Sequence, residues 1–204
     1  MTAYWTRLVL DAFHLPHVAY MDADSFLFNP LDPLYREVNH AEIAIIPHRF
    51  PPRLKWREQS NGIYNVNWVY FASTKLARQV LDDWCIACLD WCYRKSEGEK
   101  FGDQAYLNHW PRTYGAHVVK HLGANLAPWS QEQYRYSFEN QLYIIQEHDG
   151  GTQIEPLLFY HFHEWQSPTK RTGYPLKQEI IEHVYHPYES VIARIQSRKE
   201  LAHA

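Results

Sequence analysis

The 204-residue sequence predicts one α/β domain. Three observations carry that expectation. Strand-length apolar runs recur along the chain, an apolar stripe at helical spacing lies between them, and strand and helix signals alternate over much of the length. Hydrophobic residues make up 46% of the chain, enough for a sizeable core. Charged residues make up 21% without long runs of one sign, which argues against disorder. The expected layout is a single domain over 1–204, with a core over 1–170 and a helical extension over 171–204.

The elements follow in order. His17 to Asp22 reads as a short buried strand that ends in acid, and Ser25 to Phe28 as a second apolar run. In the turn Asn29-Pro30-Leu31-Asp32-Pro33, Asp32 is a candidate helix cap and Pro33 suits the first helical position. Ala41 to Ile46 is a strand closed by Pro47. Arg49 to Ser60, with Pro51, Pro52 and alternating charge, reads as a surface loop. Val66 to Phe71 is β-branched and aromatic, a third strand. Ser73 or Thr74 caps a long helix whose apolar stripe is Leu76, Val80, Leu81, Trp84, Cys85, Cys88 and Cys92. Gly102 to Trp110 reads as a short helix closed by Pro111, and Val118-Val119 as a short strand. Leu142 to Gln146 and Ile154 to His163 read as a hairpin around Asp149-Gly150-Gly151. A last helix starts over Glu179 to Tyr185, is interrupted at Pro187 and resumes to about Arg198.

Bulk properties exclude several functions. The formal net charge of -3 gives no basic face for nucleic acid. The opening lacks a basic segment feeding a long apolar one, so no secretory signal is expected. No run approaches the roughly 18 apolar residues of a membrane span, although peripheral membrane association stays open. Cys85, Cys88 and Cys92 are odd in number and close together, which is not a disulfide framework. A reducing, cytoplasmic setting follows. The same three residues fall on a helix stripe as small buried hydrophobes, which argues against an iron–sulfur site. Trp 8, Tyr 15 and Phe 9 supply flat faces on which sugar rings stack, and equally a core rich in rings.

Four constellations carry chemistry. Asp22 and Asp24 follow a buried strand, where ligands of open α/β sheets collect. Such oxygens suit Mg²⁺ or Mn²⁺ shared with a diphosphate, or else they are turn acids bonded to backbone amides. His161 and His163 alternate at a strand end and share a face, so one or both can ligate a metal or bond a backbone carbonyl. Asp103 is placed as a helix cap, or its carboxylate and the Gln104 amide meet sugar hydroxyls. Asn61-Gly62-Ile63-Tyr64-Asn65 leads polar amides into a strand, as a sugar-contacting loop or as a plain turn.

Six ordered segments together resemble a family. VAYMDADSFLFNPLDPLY, IAIIPHRF, GIYNVNWVYF, KFGDQAYLNHWP, HLGANLAPWS and LLFYHFH are similar to bacterial glycosyltransferase-like proteins with a GT-A fold, over most of residues 4–165. More distantly they resemble galactosyl- and glycogenin-like transferases. The resemblance implies a GT-A-like mixed sheet flanked by helices and transfer of a sugar from a nucleotide-diphosphate donor to a cell-surface glycan or similar acceptor. It implies Mn²⁺ or Mg²⁺ held by Asp22, Asp24 and His161, with Asp24 in direct contact. It places Asp103 and Gln104 at the donor sugar or reacting carbon, and Asn65, Gly62 and Asp22 at the substrate. Two departures stand out. Glu164 occupies the place of the family's glycine after the histidine, which leaves the choice between His161 and His163 open. Only 21 residues precede Asp22, and Tyr4-Trp5-Thr6 resembles an element shortly before the family's Asp-x-Asp, so the chain reads as beginning in mid-fold. Other readings are a non-catalytic GT-A remnant, a carbohydrate-binding protein and a metal-dependent phosphohydrolase.

Overall fold

A computed structural model of the chain describes residues 2–148 and 150–202. Asp149, at the head of the expected turn, lies outside the described residues, as do positions 1, 203 and 204 of the expected domain. The architecture is mixed α/β, built on a four-stranded sheet of order β1-β4-β3-β5. These strands are β1 (His17–Met21), β3 (Ile43–Pro47), β4 (Tyr64–Ala72) and β5 (His117–Val118). Both β1 and β3 run antiparallel to β4, while β5 is parallel to β3. Strand β4 is central and buried from Asn65 to Phe71, as its apolar run requires. Its Val69 and Phe71 face a layer formed by α1 (Thr2–Ala12), α4 (Lys75–Asp90) and α5 (Trp110–Tyr114). Trp68 and Tyr70 face the other way, onto Leu34 and Val38 around α2 (Asp32–Glu37) and onto Val119, Ala124, Leu158 and Phe159.

A second core abuts the first. Strands β6 (Arg135–Phe138), β7 (Leu142–His148) and β8 (Gly151–Pro156) form an antiparallel sheet. Ile180, Val184 and Tyr185 pack with Leu142, Ile144 and Tyr160, so the C-terminal helical segment completes a core rather than extending from one. A two-stranded pair, β2 (Ser25–Leu27) with β9 (Phe159–His161), joins the two parts.

Several elements depart from expectation, each for a physical reason. α1 carries its buried residues at Ala3, Thr6 and Leu10, but exposed Tyr4, Trp5 and Leu8 blur the apolar period. Arg7 and Arg78 clip it to α4 through Asp11 and Asp82. Asp32 does not cap α2 with its side chain; it is the first helical residue. The expected loop over 49–60 contains a 3-10 turn at Pro52–Leu54, and α3 (Arg57–Asn61) follows. Proline at the start of such a turn gives up an N–H that would have no partner there. The same logic reverses the reading of Pro111: it sits in the first turn of α5 instead of closing a helix, after a 3-10 turn at Ala105–His109. The α4 cap is Thr74, whose hydroxyl accepts from the Ala77 amide at 3.2 Å, and Cys92 lies beyond the helix end at Asp90. The run Ile154 to His163 is two strands in two sheets. β8 ends at Pro156, then Leu157 donates to the Leu142 carbonyl and Leu158 to the Gly123 carbonyl, and β9 begins. Periodicity alone does not show where an apolar run changes sheet. Pro187 does not interrupt the last helix. After α6 (Gln178–Ile180), a wide π turn at Ile181–Tyr185 shifts the ladder, and the chain stays helical through Pro187 into α7 (His186–Ala202), the irregular turn accommodating the missing N–H.

One ion pair fixes this helix to the second core. Arg171 donates from Nε and Nη2 to Glu189 at 2.8 and 2.9 Å, and Trp165 Nε1 donates to the same carboxylate at 3.4 Å. Burial pushes the Glu189 carboxyl up, but Arg171 and Trp165 outweigh it and hold the group below its ordinary value. A depressed folded pKa stabilises the fold above the unfolded value, about 4.3, and that share is lost as pH falls through the folded value. Glu189→Gln is therefore expected to lower stability by about 1 kcal/mol at pH 7, with Arg171 partly in water. The gap from wild type should close below about pH 4 in a melting series. A gap unchanged between pH 7 and pH 3 would refute the assignment.

Candidate metal centre

The turn between β1 and β2 carries Asp22, Ala23 and Asp24. Its backbone is pinned on three sides: Asp22 N donates to the Asn67 carbonyl at 3.0 Å, Ser25 N to the Asp22 carbonyl at 3.1 Å, and Phe162 N to the Asp24 carbonyl at 2.7 Å. The last bond brings the end of β9 to the turn. Ser25 pairs with His161 in the ladder, and the His161 amide donates to the Leu126 carbonyl at 2.8 Å. A chain of buried amides lies beneath. Ser25 Oγ donates to Asn67 Oδ1 at 2.5 Å, Asn67 Nδ2 to Asn125 Oδ1 at 2.7 Å, and the Asn67 amide to Asn65 Oδ1 at 2.7 Å.

One carboxylate and two imidazoles converge on this frame. Ligand atoms of Asp24, His161 and His163 all lie within 4.8 Å of one another. His161 Nε2 stands 3.3 Å from Asp24 Oδ1, and the two imidazole centroids are 5.5 Å apart. The alternation of His161 and His163 on one face is as the sequence indicates, while Phe162 between them turns into the second core. Trp129 presents an edge-on contact to both rings, at 5.5 and 5.4 Å. Burial opposes ionisation of Asp24, yet the His161 ring outweighs it and holds the carboxyl below its ordinary value. Burial, then the neighbouring His161, pushes His163 down, so it favours the neutral form that donates a lone pair.

The group lines a cavity of about 830 Å³ that also takes in Asp22, Asn65, Asp103 and Gln104. Residues expected from distant segments thus meet in one place. Asp22, expected beside Asp24 as a ligand, is outside the three-donor group: its Oδ1 accepts the Tyr20 hydroxyl at 2.7 Å, and burial raises its carboxyl. Asp103 directs its backbone carbonyl to Trp84 Nε1 at 2.8 Å and does not cap a helix. The Gln104 amide donates to the Asn61 carbonyl at 2.7 Å, so it braces α3. Gly62 is absent from the cavity wall. At φ 97° it ends α3, and an added Cβ would stand 3.3 Å from Asn108 Oδ1, so its role is in the backbone. Sequence reasoning did not single out His48, Phe50, Arg57, Trp129 or Tyr174, which also line the cavity. Their signal was the six-segment likeness, which contains three of them. His48 stacks on Phe50 at 4.6 Å, and burial pushes its imidazole down to about 3.

The molecule is a mixed α/β protein whose carboxylate and two histidines share a cavity, and among the described residues no helix is long and apolar enough to cross a membrane. It is similar to the uncharacterized protein YfnD of Bacillus subtilis (strain 168), with 30% identity over 202 residues, covering 90% of this chain and 62% of the relative. It is also similar to the uncharacterized protein YfnF of the same organism, with 24% identity over 191 residues, covering 83% of this chain and 61% of the relative. The chain therefore spans about three fifths of the length of the curated relatives it matches. No family model matches the sequence.

Proposed function

We propose that the chain is part of a metal-dependent glycosyltransferase of GT-A type that uses a nucleotide-diphospho-sugar donor and a cell-surface or similar glycan acceptor. The observation that carries this reading is the convergence of Asp24, His161 and His163 in the cavity that also holds Asp22, Asn65, Asp103 and Gln104. A divalent cation fits the donor set on two counts. One carboxylate oxygen and two imidazole nitrogens are the ligand types such ions take. Moreover, one ligand atom from each of the three residues lies within 4.8 Å of the others, a spacing at which a single ion meets them all. Two nitrogens disfavour Mg²⁺, which demands oxygen, and leave Mn²⁺ as the better match. When bound, the cation supplies Lewis-acid neutralisation of the diphosphate leaving group.

The protein's own groups do the rest. Asp24 stays ionised and presents a hard oxygen. Trp129 and the Asp24 backbone fix the two rings and so pre-set their geometry. Asp22, held by Tyr20, and Asp103, whose backbone is tied to Trp84, offer carboxylates to sugar hydroxyls. Spin-resonance titration at pH 7.5 tests the reading. Asp24→Ala and His161→Ala are each expected to weaken Mn²⁺ binding at least tenfold, about 1.4 kcal/mol or more. Release of nucleoside diphosphate from sugar nucleotides should fall in step. Equal Mn²⁺ affinity in wild type and both variants sinks the metal role.

A further inference from the structure

The cavity has a second charged feature that the metal reading does not use. Arg57 lines it from α3. Its neighbours on the same segment are neutralised: Arg53 pairs with Glu132 and Lys55 with Glu58, both at 2.6 Å. Among the described residues, Arg57 has no carboxylate within ion-pair distance. One donor, Nη1, meets the Tyr174 hydroxyl at 2.8 Å, while Nε is buried without a partner. The guanidinium lies over the Trp56 ring at 5.2 Å and over the Tyr174 ring at 5.5 Å, which fixes its plane. A rigid, oriented fork with spare donors is the geometry that reads a carboxylate or phosphate by two parallel hydrogen bonds.

The position of the fork says which part of a substrate it meets. Trp129 touches His161 and His163, Tyr174 stands 6.3 Å from Trp129, and Arg57 lies over Tyr174. Two aromatic rings therefore separate the fork from the three-donor group where a diphosphate is expected. Aromatic faces of this kind suit the apolar face of a sugar ring. Glu164 stands 3.7 Å from His163 Nε2, and its Oε2 would lie 3.9 Å from a Cβ on Gly173, so this carboxylate borders both halves of the cavity.

We infer that the half of the cavity walled by Trp129 and Tyr174 takes a sugar bearing an oxyanion, a carboxylate or a phosphate, and that Arg57 reads that group. This inference rests on the glycosyl-transfer reading and narrows its substrate to an acidic sugar.

Calorimetry and ligand-observed magnetic resonance on the whole chain test it with glucuronate, glucose 6-phosphate, glucose and inorganic phosphate. The buffer contains EDTA, so metal plays no part. Wild type is expected to bind glucuronate or glucose 6-phosphate at least tenfold tighter than glucose, and whichever acid gains identifies the oxyanion. Arg57→Gln should erase the gain and leave all three sugars equal. Arg57→Lys, a point charge in place of a fork, should restore part of it. Mn²⁺ affinity, measured without EDTA, should be unchanged in both variants, which also shows that they fold. Equal binding of acidic and neutral sugars by wild type overturns the inference, as does an acid preference that survives Arg57→Gln. Inorganic phosphate binding as tightly as the acidic sugars, with loss in Arg57→Gln, also overturns it, because Arg57 would then be an ordinary phosphate contact. Absent Mn²⁺ binding with the acid preference intact defeats the metal reading alone.

Discussion

Gly123→Ala is expected to lower stability by on the order of 4 kcal/mol, a melting-temperature drop of roughly 8–16 °C for a chain of this size. A Cβ at Gly123 would lie 1.8 Å from the Pro156 carbonyl oxygen, 2.8 Å from its carbon and 3.0 Å from the Leu158 nitrogen. All three are backbone atoms, so no side chain can swing aside. The Gly123 carbonyl also accepts from Leu158 at 2.8 Å and Phe159 at 3.1 Å, and relieving the clash would break both bonds. Those bonds seat the start of β9, two residues before His161. The substitution should therefore weaken Mn²⁺ binding along with thermal stability, although Gly123 is not in the cavity wall. Calorimetric melting together with a spin-resonance titration measures both. An alanine variant with wild-type values for both shows that the backbone at Gly123 has room for a side chain.

Arg49→Met should cost about 3 kcal/mol, because three carbonyls lose charged donors at once. Arg49 donates from Nη1 to the Ala124 carbonyl at 2.5 Å, and from Nη2 to those of His121 and Val119 at 3.0 and 3.2 Å. The guanidinium thus sits in the loop after β5 as a fixed cation, with Glu37 bonded to the Lys120 and His121 amides beside it. Methionine fills the space and satisfies none of those oxygens. Lysine should recover only part of the loss, since one ammonium does not span the fork. Chemical denaturation measures the difference. A methionine variant within 0.5 kcal/mol of wild type, the usual range for an innocuous surface change, excludes this role for Arg49.

The sequence was most legible where one period covers a whole element. β4 and α4 stand close to their expected limits because β4 is one continuous buried run and α4 buries Ala77, Val80, Leu81 and Trp84 at helical spacing, whereas β1 keeps its limits but, at the sheet edge, is half-buried instead of buried. It was least legible where tertiary contacts decide. β6 is short and largely exposed, so its residues carry no alternation to read. α1 hides its buried stripe among exposed rings. The Asp24–His161 approach follows from a strand pairing that no local pattern encodes, whereas ordered motifs suggested it. The amides of Asn67 and Asn125, which brace that approach, leave no signature beyond their polarity. Gly62, expected at the substrate, ends α3 at φ 97°, and that backbone requirement by itself accounts for a glycine there.

The joining of β2 to β9 has a kinetic consequence. The nearby bond from Asn29 Nδ2 to the Leu157 carbonyl closes 128 residues of chain. Closing a loop of that length costs about 4 kcal/mol of chain entropy before any contact rewards it. The nascent chain therefore emerges with Asp22 and Asp24 long before His161 and His163 exist to meet them. Assembly of the site belongs to the end of folding, together with the docking of β9, whose Phe159 and Tyr160 complete the two cores.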